Sequence, residues 1–327
     1  MKRLKKITLW VLGILIVAVG GFMAYALLMF PKVSEAKDIK IEYTPEMIAR
    51  GEYLANHVAA CMDCHSVRDW SILTAPPKPG TAGAGGDKFD RNMGFPGEFY
   101  AANITPHNLK DWTDGEIFRA ITTGVKKDGE PMFPVMPYGQ YSNMAEEDVY
   151  AIIAYIRSLK PIESTTPEST FDFPVNLFIR FAPKDYEPKV KPAESDKVAY
   201  GKYIFHQAAC DDCHTQNVKG KKIVELELAG GFEFKFPNGS IVRSANITPD
   251  METGIGSWSE DMFVQRFKMY ADSNYKLQTV GPNEFNSVMP WIPYSGMKET
   301  DLRALFAYLK SQPAITNKVV KYTAAAN

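Results

Sequence analysis

The sequence predicts two similar, mostly helical domains that follow a membrane-spanning helix at the N-terminus. Three observations support this fold class: a charge-free apolar stretch near the start, four sequence blocks that occur twice in the same order, and helical periodicity after the last block of each set. The chain has 327 residues, enough for two domains that each bury a core. Its formal net charge of −1 gives no indication of a nucleic-acid partner.

The membrane-spanning helix is predicted at residues 7–30, which carry no charged side chain and are long enough to cross a bilayer. Four basic residues precede it: Lys2, Arg3, Lys5 and Lys6. By the positive-inside rule, residues 1–6 are expected to form a basic tip in the cytoplasm, with the rest of the chain on the periplasmic side of the inner membrane. A cleaved signal peptide is the alternative, but the apolar stretch is longer than signal peptides usually carry.

The chain contains an internal repeat. Four blocks recur: GEYLANHVAAC (51–61) with GKYIFHQAAC (201–210), AANITP (101–106) with SANITP (244–249), MPYGQYSNM (136–144) with MPWIPYSGM (289–297), and a helix-like pattern after each of the last two. Such self-similarity predicts two copies of one domain, because a solenoid needs more and shorter units. We assign the copies to residues 43–160 and 196–313, with a linker at 161–195 and a tail at 314–327.

Secondary structure is predicted to be mainly short helices and loops. Helices are expected at about 46–60, 113–124, 145–159, 196–209, 259–270 and 298–311. Thr113 and Glu116 form a capping-box pattern at one helix start. In the second copy, FEFKFPNGSIVR predicts a β-hairpin with Asn238 and Gly239 as a two-residue turn. Residues 71–100 of the first copy are rich in Gly and Pro and are expected to be less regular.

The linker is rich in Pro, Ser, Thr and charged residues. Its central FPVNLFIRF segment, residues 173–181, is too apolar for a free linker. We expect it to pack on one domain or on a partner protein, and it is the first candidate for a docking surface.

Every cysteine of the chain lies in a C-x-x-C-H motif. The two motifs are Cys61, Cys64 and His65, and Cys210, Cys213 and His214. This motif is the attachment signature of c-type haem. Two thiols one helical turn apart can each form a thioether with a haem vinyl group, and the histidine is then held under the ring, where it can bind iron. We therefore predict two covalently bound c-type haems, with one histidine of each motif as an axial ligand.

A redox pair and a zinc site both fit the cysteines less well than haem does. A disulfide or a thioredoxin-like redox pair accounts for C-x-x-C but not for the histidine in both copies. A four-cysteine zinc site requires the two pairs to converge, although they belong to separate repeats. The predicted export of the chain agrees with haem, because c-type haem is attached outside the cytoplasm.

The second axial ligand is predicted to be a methionine, Met136 in the first copy and Met289 in the second. Each precedes a proline, lies downstream of the attachment motif and comes before the last helix of its copy. A thioether is a soft, uncharged ligand that suits haem iron and raises its reduction potential. Met144 and Met297 also recur, but they are predicted to be core residues at helix starts, and Met132 has no counterpart.

The remaining histidines are not predicted to bind iron. His57 and His206 lie four residues before the first cysteine of their motif, so they share its helix and do not reach the opposite face of the ring easily. We expect them to pack or to form hydrogen bonds. His107 aligns with Asp250 in the other copy and therefore has no equivalent.

Several motifs together carry a family resemblance: both CxxCH motifs, both NITP motifs, the two MP…YS…M blocks, GEYL (51–54), TTGVKKDGE (122–130) and TGIGSWSEDMF (253–263). They resemble class I c-type cytochrome domains, especially the haem-bearing repeats in cytochrome subunits of membrane-bound bacterial alcohol, aldehyde and gluconate dehydrogenases. The resemblance implies an all-α fold of two tandem cytochrome c domains, His/Met ligation and electron transfer. Those subunits tend to carry three haem repeats, whereas this chain has two and an N-terminal helix.

The resemblance leaves some residues without an assigned role. Asn103 and Asn246 of the NITP motifs are candidates for ordering a loop at the haem edge. Trp112 and Trp258 are candidates for a propionate contact or for simple packing.

The predicted function is a membrane-anchored dihaem electron carrier. It would relay single electrons between a dehydrogenase or quinol-oxidising complex and a terminal oxidase or another cytochrome, because a filled axial position favours outer-sphere transfer. The alternative is a dihaem enzyme, either a peroxidase or an oxidase of sulfur compounds, with one catalytic haem. A peroxidase needs a displaceable sixth ligand, and a cysteine-ligated sulfur enzyme needs a thiol outside the CxxCH motifs, which the sequence lacks.

Overall fold

The computed structural model describes residues 1–281 and 283–325 of the chain. The last two residues of the predicted tail, 326 and 327, lie outside the described residues. Helix α1, Lys2–Met29, is within this described part the one helix long and apolar enough to cross a membrane, and almost all of it is exposed. Its length and composition suit a membrane anchor and a signal sequence alike.

The first half of the body is built from short helices close to the predicted positions. Its α-helices are α2 (Pro45–Tyr53), α3 (Cys61–Cys64), α4 (Pro106–Leu109), α5 (Asp114–Thr123), α6 (Tyr138–Tyr141) and α7 (Glu146–Ser158). A π-helix spans Leu54–Val58 and a 3₁₀ helix spans Arg91–Met93. The capping box before α5 is confirmed, since the Thr113 hydroxyl accepts from the Glu116 amide at 3.1 Å and the Glu116 carboxylate accepts from the Thr113 amide at 2.7 Å.

The second half repeats the order of the longer helices, but among the described residues it has no counterpart of α4. The linker contains α8 (Val175–Phe178) and a 3₁₀ turn (Ile179–Phe181). The α-helices after the linker are α9 (Lys197–Gln207), α10 (Cys210–His214), α11 (Glu260–Lys268), α12 (Trp291–Ser295) and α13 (Glu299–Lys310), and a 3₁₀ turn spans Val224–Leu226. In each half the first long helix packs against the last one, α2 on α7 and α9 on α13. Helices α2 and α7 cross at Gly51, and α9 and α13 cross at Gly201. At each glycine the two helix backbones meet without an intervening side chain.

Strands are also present, so the prediction of an all-α fold is incomplete. The described residues contain β1 (Lys88–Phe89), β2 (Gly97–Tyr100), β3 (Thr170–Phe171), β4 (Asn217–Val218), β5 (Lys221–Lys222), β6 (Glu233–Lys235), β7 (Ile241–Arg243) and β8 (Tyr322–Thr323). All pairings are antiparallel, in the orders β1-β2-β3, β4-β5 and β6-β7-β8. Residues 71–100 thus hold a hairpin equivalent to that of the second half.

The third strand of each larger sheet comes from a segment that composition alone assigns to connecting chain. β3 belongs to the linker and pairs Phe171 with Gly97, while β8 belongs to the tail and pairs Tyr322 with Val242. The start of the linker and the tail are therefore equivalent parts of the repeat. An edge strand pairs on one side only, so even the Pro-rich linker can supply one.

The β6-β7 hairpin is confirmed, but its turn is not the expected two-residue type. The Phe236 amide donates to the Ser240 carbonyl at 2.9 Å, which leaves a three-residue loop of Pro237, Asn238 and Gly239. Pro237 is compatible with a type I turn, in which its φ near −65° is favoured, and Gly239 then closes the loop at φ +86°. The proline therefore moves the turn one residue earlier than the Asn-Gly pair suggests.

The π-helix accounts for the different length of the first block in the two halves. GEYLANHVAAC is one residue longer than GKYIFHQAAC. In the first half the Ala59 amide donates to the Leu54 carbonyl, five residues back, whereas in the second half the Ala208 amide donates to Ile204, four residues back. The extra residue is absorbed as one wide turn. Residues before and after it keep the same alignment in both halves.

The apolar linker segment packs against the end of α1. Its composition predicts packing on one domain or on a partner protein, so the contact with α1 differs from the expected one. Phe181 lies 4.3 Å from Phe30 between ring centroids, and Phe178 lies 6.2 Å from Phe22. Arg180 donates to the Phe30 carbonyl at 2.9 Å. This segment therefore joins the body of the protein to the point where the chain leaves the apolar helix.

Candidate haem sites

Each CxxCH motif begins at a sharp turn held in the same strained conformation. Ala60 has φ 48° and Ala209 has φ 49°, in the left-handed region that alanine rarely adopts. Such a residue costs about 1–2 kcal/mol, so it persists only when its surroundings impose it. The turn separates the long helix from the short cysteine helix in both halves, and it brings the first cysteine immediately to the start of that helix.

A tyrosine of each MP…YS…M block holds the residue next to this turn. The Tyr141 hydroxyl donates to the Ala59 carbonyl at 2.8 Å, and the Tyr294 hydroxyl donates to the Ala208 carbonyl at 2.8 Å. Both rings are buried, and burial raises the pKa of both hydroxyls well above the usual value, so they remain donors at any physiological pH. These bonds tie the methionine-bearing block of each half to its own cysteine motif.

The motif histidines are oriented identically by a backbone carbonyl. Nδ1 of His65 lies 2.7 Å from the Ala102 carbonyl oxygen, and Nδ1 of His214 lies 2.7 Å from the Ala245 carbonyl oxygen. A carbonyl only accepts, so Nδ1 must carry the proton and Nε2 keeps its lone pair. Burial lowers the pKa of both imidazoles, which favours the neutral ring. A neutral imidazole with a fixed tautomer is the form that binds a metal.

A pair of glycines that is not predicted from the sequence completes this arrangement. The Gly85 amide donates to the His65 carbonyl at 3.0 Å, and the Gly230 amide donates to the His214 carbonyl at 2.8 Å. Both glycines have positive φ, and a Cβ on either would lie within 2.4–2.7 Å of backbone atoms of the segment that holds the histidine ring. The repeated sequence Ala-Gly-Gly, at 84–86 and 229–231, is the signal that could have revealed them.

The NITP motifs order the loop that carries the accepting carbonyl. Asn103 is buried; its Oδ1 accepts from the Thr105 amide at 2.9 Å and its Nδ2 donates to the Ile162 carbonyl at 2.8 Å. Asn246 makes the same two bonds, with Thr248 at 2.9 Å and Ile315 at 2.8 Å. The asparagine thus joins its loop to the linker in one half and to the tail in the other, one residue away from the carbonyl that orients the histidine.

Three of the four residues predicted to hold the first haem line one apolar cavity, and Cys64 is not part of its wall. Cys61, His65 and Met136 all contribute to its wall. The rest of the lining is mostly aliphatic and aromatic, and consists of Ala59, Ala102, Asn103, Ile104, Asn108, Leu109, Trp112, Ile117, Ala120, Ile121, Lys126, Met132, Tyr141, Met144, Ile152 and Ile156. An apolar cavity with a cysteine, a histidine of fixed tautomer and three methionine thioethers fits a porphyrin, because its walls match the ring and its donors match the iron.

The second half places the equivalent residues in equivalent surroundings. Met289 is half-buried against the core of this half, alongside Trp258 and Trp291. Met297 is fully buried at the start of the last helix, as is Met144 in the first half, in line with the core role expected for both.

The other histidines lie away from the cavity lining. His57 Nδ1 is 2.9 Å from the Pro293 carbonyl, and His206 Nδ1 is 2.8 Å from the Gln140 side-chain oxygen. Both therefore form hydrogen bonds, as expected, although each bond crosses to the other half of the chain. His107 is exposed.

The four cysteines lie in the two short helices that begin at Cys61 and Cys210. None of the four, all of which lie within the described part of the chain, forms a disulfide. Burial raises the pKa of the Cys61 thiol to about 12, so this thiol is neutral at physiological pH. Among residues 1–281 and 283–325, no three His, Cys, Asp or Glu side chains converge as a metal site.

Comparison with known proteins places this geometry in a family context. Residues 198–313 match the family model described as "Cytochrome c". The chain is 27% identical over 285 residues to the cytochrome c subunit of an alcohol dehydrogenase (quinone) from Gluconobacter oxydans, covering 82% of this chain and 55% of that protein. It is 29% identical over 281 residues to the fructose dehydrogenase cytochrome subunit of Gluconobacter japonicus, covering 82% and 53%. The chain thus spans about half the length of these relatives.

A third relative has a similar length to this chain. It is the protein named "Diheme cytochrome c-type" from Cereibacter sphaeroides, which is 25% identical over 304 residues, covering 84% of this chain and 91% of the relative. Similarity therefore extends over both halves of the repeat, beyond the single segment that the family model matches.

Proposed function

We propose that this chain, whose residues 198–313 belong to the cytochrome c family, binds two c-type haems and transfers single electrons between redox partners. The observation that carries the proposal is the duplicated orientation of His65 and His214, each with Nδ1 on a backbone carbonyl and Nε2 left as a ligand. An electron carrier needs two such sites to behave as a relay. A single structural metal site would not require the same contact between a histidine and a backbone carbonyl in both halves.

Each half supplies a complete set of groups for one haem. The proposed covalent attachment points are Cys61 and Cys64 in the first half and Cys210 and Cys213 in the second, and the proposed axial ligands are His65 with Met136 and His214 with Met289. Bound haem supplies a one-electron couple at its iron. The chain's part is to fix the imidazole, to surround the ring with apolar side chains that exclude water, and to hold a thioether on the far side.

The relatives support an electron-transfer subunit over a catalytic haem enzyme. Their names describe cytochrome subunits of dehydrogenases that act on alcohol and fructose. We propose a dehydrogenase or a quinol-oxidising complex as the electron donor and a terminal oxidase or another cytochrome as the acceptor. A dihaem peroxidase or sulfur oxidase would require one open iron site, whereas each half carries a methionine at the equivalent position.

We further propose that α1 is a retained anchor in the inner membrane and that the body lies on the periplasmic side. The basic residues before α1 favour this orientation. Phe178 is 57% exposed, and its ring centroid lies 6.2 Å from that of Phe22 in α1. This contact would hold the linker close to the bilayer surface.

Replacing Met136 by alanine should remove the iron–sulfur charge-transfer band of one haem and lower the reduction potential of that haem, because a thioether ligand raises it. Met289→Ala should do the same for the other haem. Absorption spectra of the oxidised protein and a redox titration would measure both effects. Met132→Ala is the matched control, since Met132 lines the same cavity as Met136 and should leave the band intact. A full band in either ligand variant would disprove the methionine assignment for that half.

The anchor makes a separate prediction about the mature chain. The purified protein should contain residues 7–30 by intact-mass analysis and should stay in the membrane fraction after alkaline carbonate extraction. Recovery of a soluble chain that begins after residue 30 would show that the apolar helix is a signal sequence. The haem spectrum is unaffected by either result, so this experiment tests location alone.

A further inference from the structure

We infer that each half of the chain positions the methionine loop of the other half, so that a substitution in one half changes the iron ligation of its neighbour. We define methionine loop 1 as residues 136–145 and methionine loop 2 as residues 289–298. The inference rests on the proposed function, because it takes Met136 and Met289 as ligands. Its basis is a set of reciprocal hydrogen bonds between the halves.

The first contact crosses from the first half to methionine loop 2. His57 follows α2 and is half-buried, and its Nδ1 donates to the Pro293 carbonyl at 2.9 Å. The fit is close, since a Cβ on Gly296 would lie 2.1 Å from the same nitrogen. Loop 2 is therefore shaped to receive the His57 ring. Pro293 lies four residues after Met289, within the same tight loop, in which the Trp291 amide donates to the Met289 carbonyl at 2.8 Å.

The reciprocal contact crosses from the second half to methionine loop 1. His206 Nδ1 donates to Oε1 of Gln140 at 2.8 Å, and Gln140 occupies the position in loop 1 that Pro293 occupies in loop 2. Nε2 of Gln140 donates to Asp212 at 2.9 Å, inside the second CxxCH motif. His57 and His206 are thus equivalent residues that bond to equivalent loop positions, His57 through a backbone carbonyl and His206 through a side-chain oxygen. This reciprocity is the property of a two-fold interface, formed here within one chain.

A second pair of contacts holds the far end of each loop. The Tyr53 hydroxyl donates to Asp301 at 2.6 Å and accepts from the Lys298 amide at 3.0 Å. In the opposite direction, the Tyr203 hydroxyl donates to Asp148 at 2.8 Å and accepts from the Ala145 amide at 3.0 Å.

Each methionine loop is therefore held from two sides. Its own half contributes the buried hydrogen bond from Tyr141 or Tyr294 to the cysteine motif, and in loop 2 Lys268 of the same half also donates to the Ser295 and Met297 carbonyls. The other half contributes a histidine and a tyrosine to each loop. The π-helix is required for this arrangement. Without its extra wide turn, the longer first block could not present both Tyr53 and His57 in the alignment that Tyr203 and His206 have.

The test is a spectroscopic effect in the half that was not mutated. His57→Ala should weaken or shift the iron–sulfur band of the second-half haem and change its potential, while the first-half haem is unaffected. Met136→Ala and Met289→Ala assign the two bands to their halves. His57→Asn should restore most of the signal, because the asparagine amide places an N–H donor where Nδ1 was. His107→Ala, an exposed histidine of the same half, is the control and should change neither band.

A second measurement does not depend on haem. Hydrogen exchange of the peptide that covers residues 289–298 should become roughly fivefold faster in His57→Ala, the effect of losing about one buried hydrogen bond. Residues 136–145 should respond in the same way to His206→Ala. If His57→Ala fails to fold, Tyr53→Phe removes one hydroxyl and keeps the ring, and it should give a smaller effect in the same, second half.

The outcomes separate the two proposals. If the methionine variants do not abolish one band each, the ligand assignment and with it the proposed function fail. If they do, but the histidine variants leave the opposite half unchanged in spectrum and exchange or act on their own half, then cross-half positioning is wrong. A change confined to the opposite half, with rescue by asparagine, supports it.

Discussion

A chain in which Cys210 and Cys213 are both replaced by alanine is expected to carry one covalently bound haem instead of two and to lose the folded core of its second half. Both thiols of that half are removed, so no thioether can form there. Without the ring, the apolar side chains around His214 and Met289 face an empty interior. Emptying a core site typically costs about 3–5 kcal/mol, which is a large part of the stability of a domain this size.

Intact-mass analysis and haem staining on a denaturing gel would count the haems, and peptide-resolved hydrogen exchange would locate the loss of structure. Asp211→Met is the matched control, because it lies between the same two cysteines and the first motif has Met62 at that position. It should keep both haems. The double variant Cys61→Ala and Cys64→Ala should give the mirror result in the first half. Two haems remaining in either cysteine variant would exclude attachment at those thiols.

Replacing Gly201 by alanine is expected to destabilise the second half strongly. An added Cβ would lie 1.9 Å from the Ala304 carbonyl oxygen and 2.9 Å from Cβ of Tyr308, and neither atom can rotate away because both are fixed by the α13 backbone. Helices α9 and α13 would have to separate by more than about 1 Å along their main contact. Overpacking of this kind costs roughly 1–3 kcal/mol or more, which exceeds the gain of about 1 kcal/mol that alanine brings to a helix.

Denaturant unfolding followed by the charge-transfer band of each haem would measure this loss half by half. Gly51→Ala should affect the first half in the same way, since its Cβ would lie 1.8 Å from the Ala151 carbonyl oxygen. Gly139→Ala is the control: it sits in helix α6 with open space around its Cβ position, and it should be neutral or slightly stabilising. Unchanged stability of Gly201→Ala would show that the α9–α13 crossing is more open than the structure has it.

The parts of the fold that could be predicted are those governed by contacts within a few residues. The helices before and after each site appear within about two residues of their expected bounds, because apolar periodicity and the cap at Thr113 are local signals. The strands β3 and β8 were not predicted, because each is only two residues long and is ordered by the hairpin beside it. The three-residue turn at Pro237 could not be predicted, because it depends on which residues of the two strands pair, and the composition does not show that pairing.

The candidate sites divide in the same way. The cysteine motifs and the two Met-Pro blocks could be identified because their spacing and repetition are visible in the chain itself. The repeated Ala-Gly-Gly sequence marks Gly85 and Gly230 in both halves, but their role could not be predicted until a neighbouring segment is seen to leave no room for a Cβ. The histidines His57 and His206 were expected to form hydrogen bonds, but no periodicity indicates that their partners lie in the opposite half.

By itself, the sequence determined that this protein is a tandem repeat behind an apolar helix, with two thiols and an imidazole grouped within one helical turn in each copy. These groups lie close together because they are neighbours along the chain. They therefore stay close in any fold in which these residues form a helical turn. Only the tertiary structure decided which carbonyl fixes each imidazole and that the two copies hold one another's methionine loops. Those bonds join residues as far apart as His57 and Pro293, and their formation depends on how the whole chain packs.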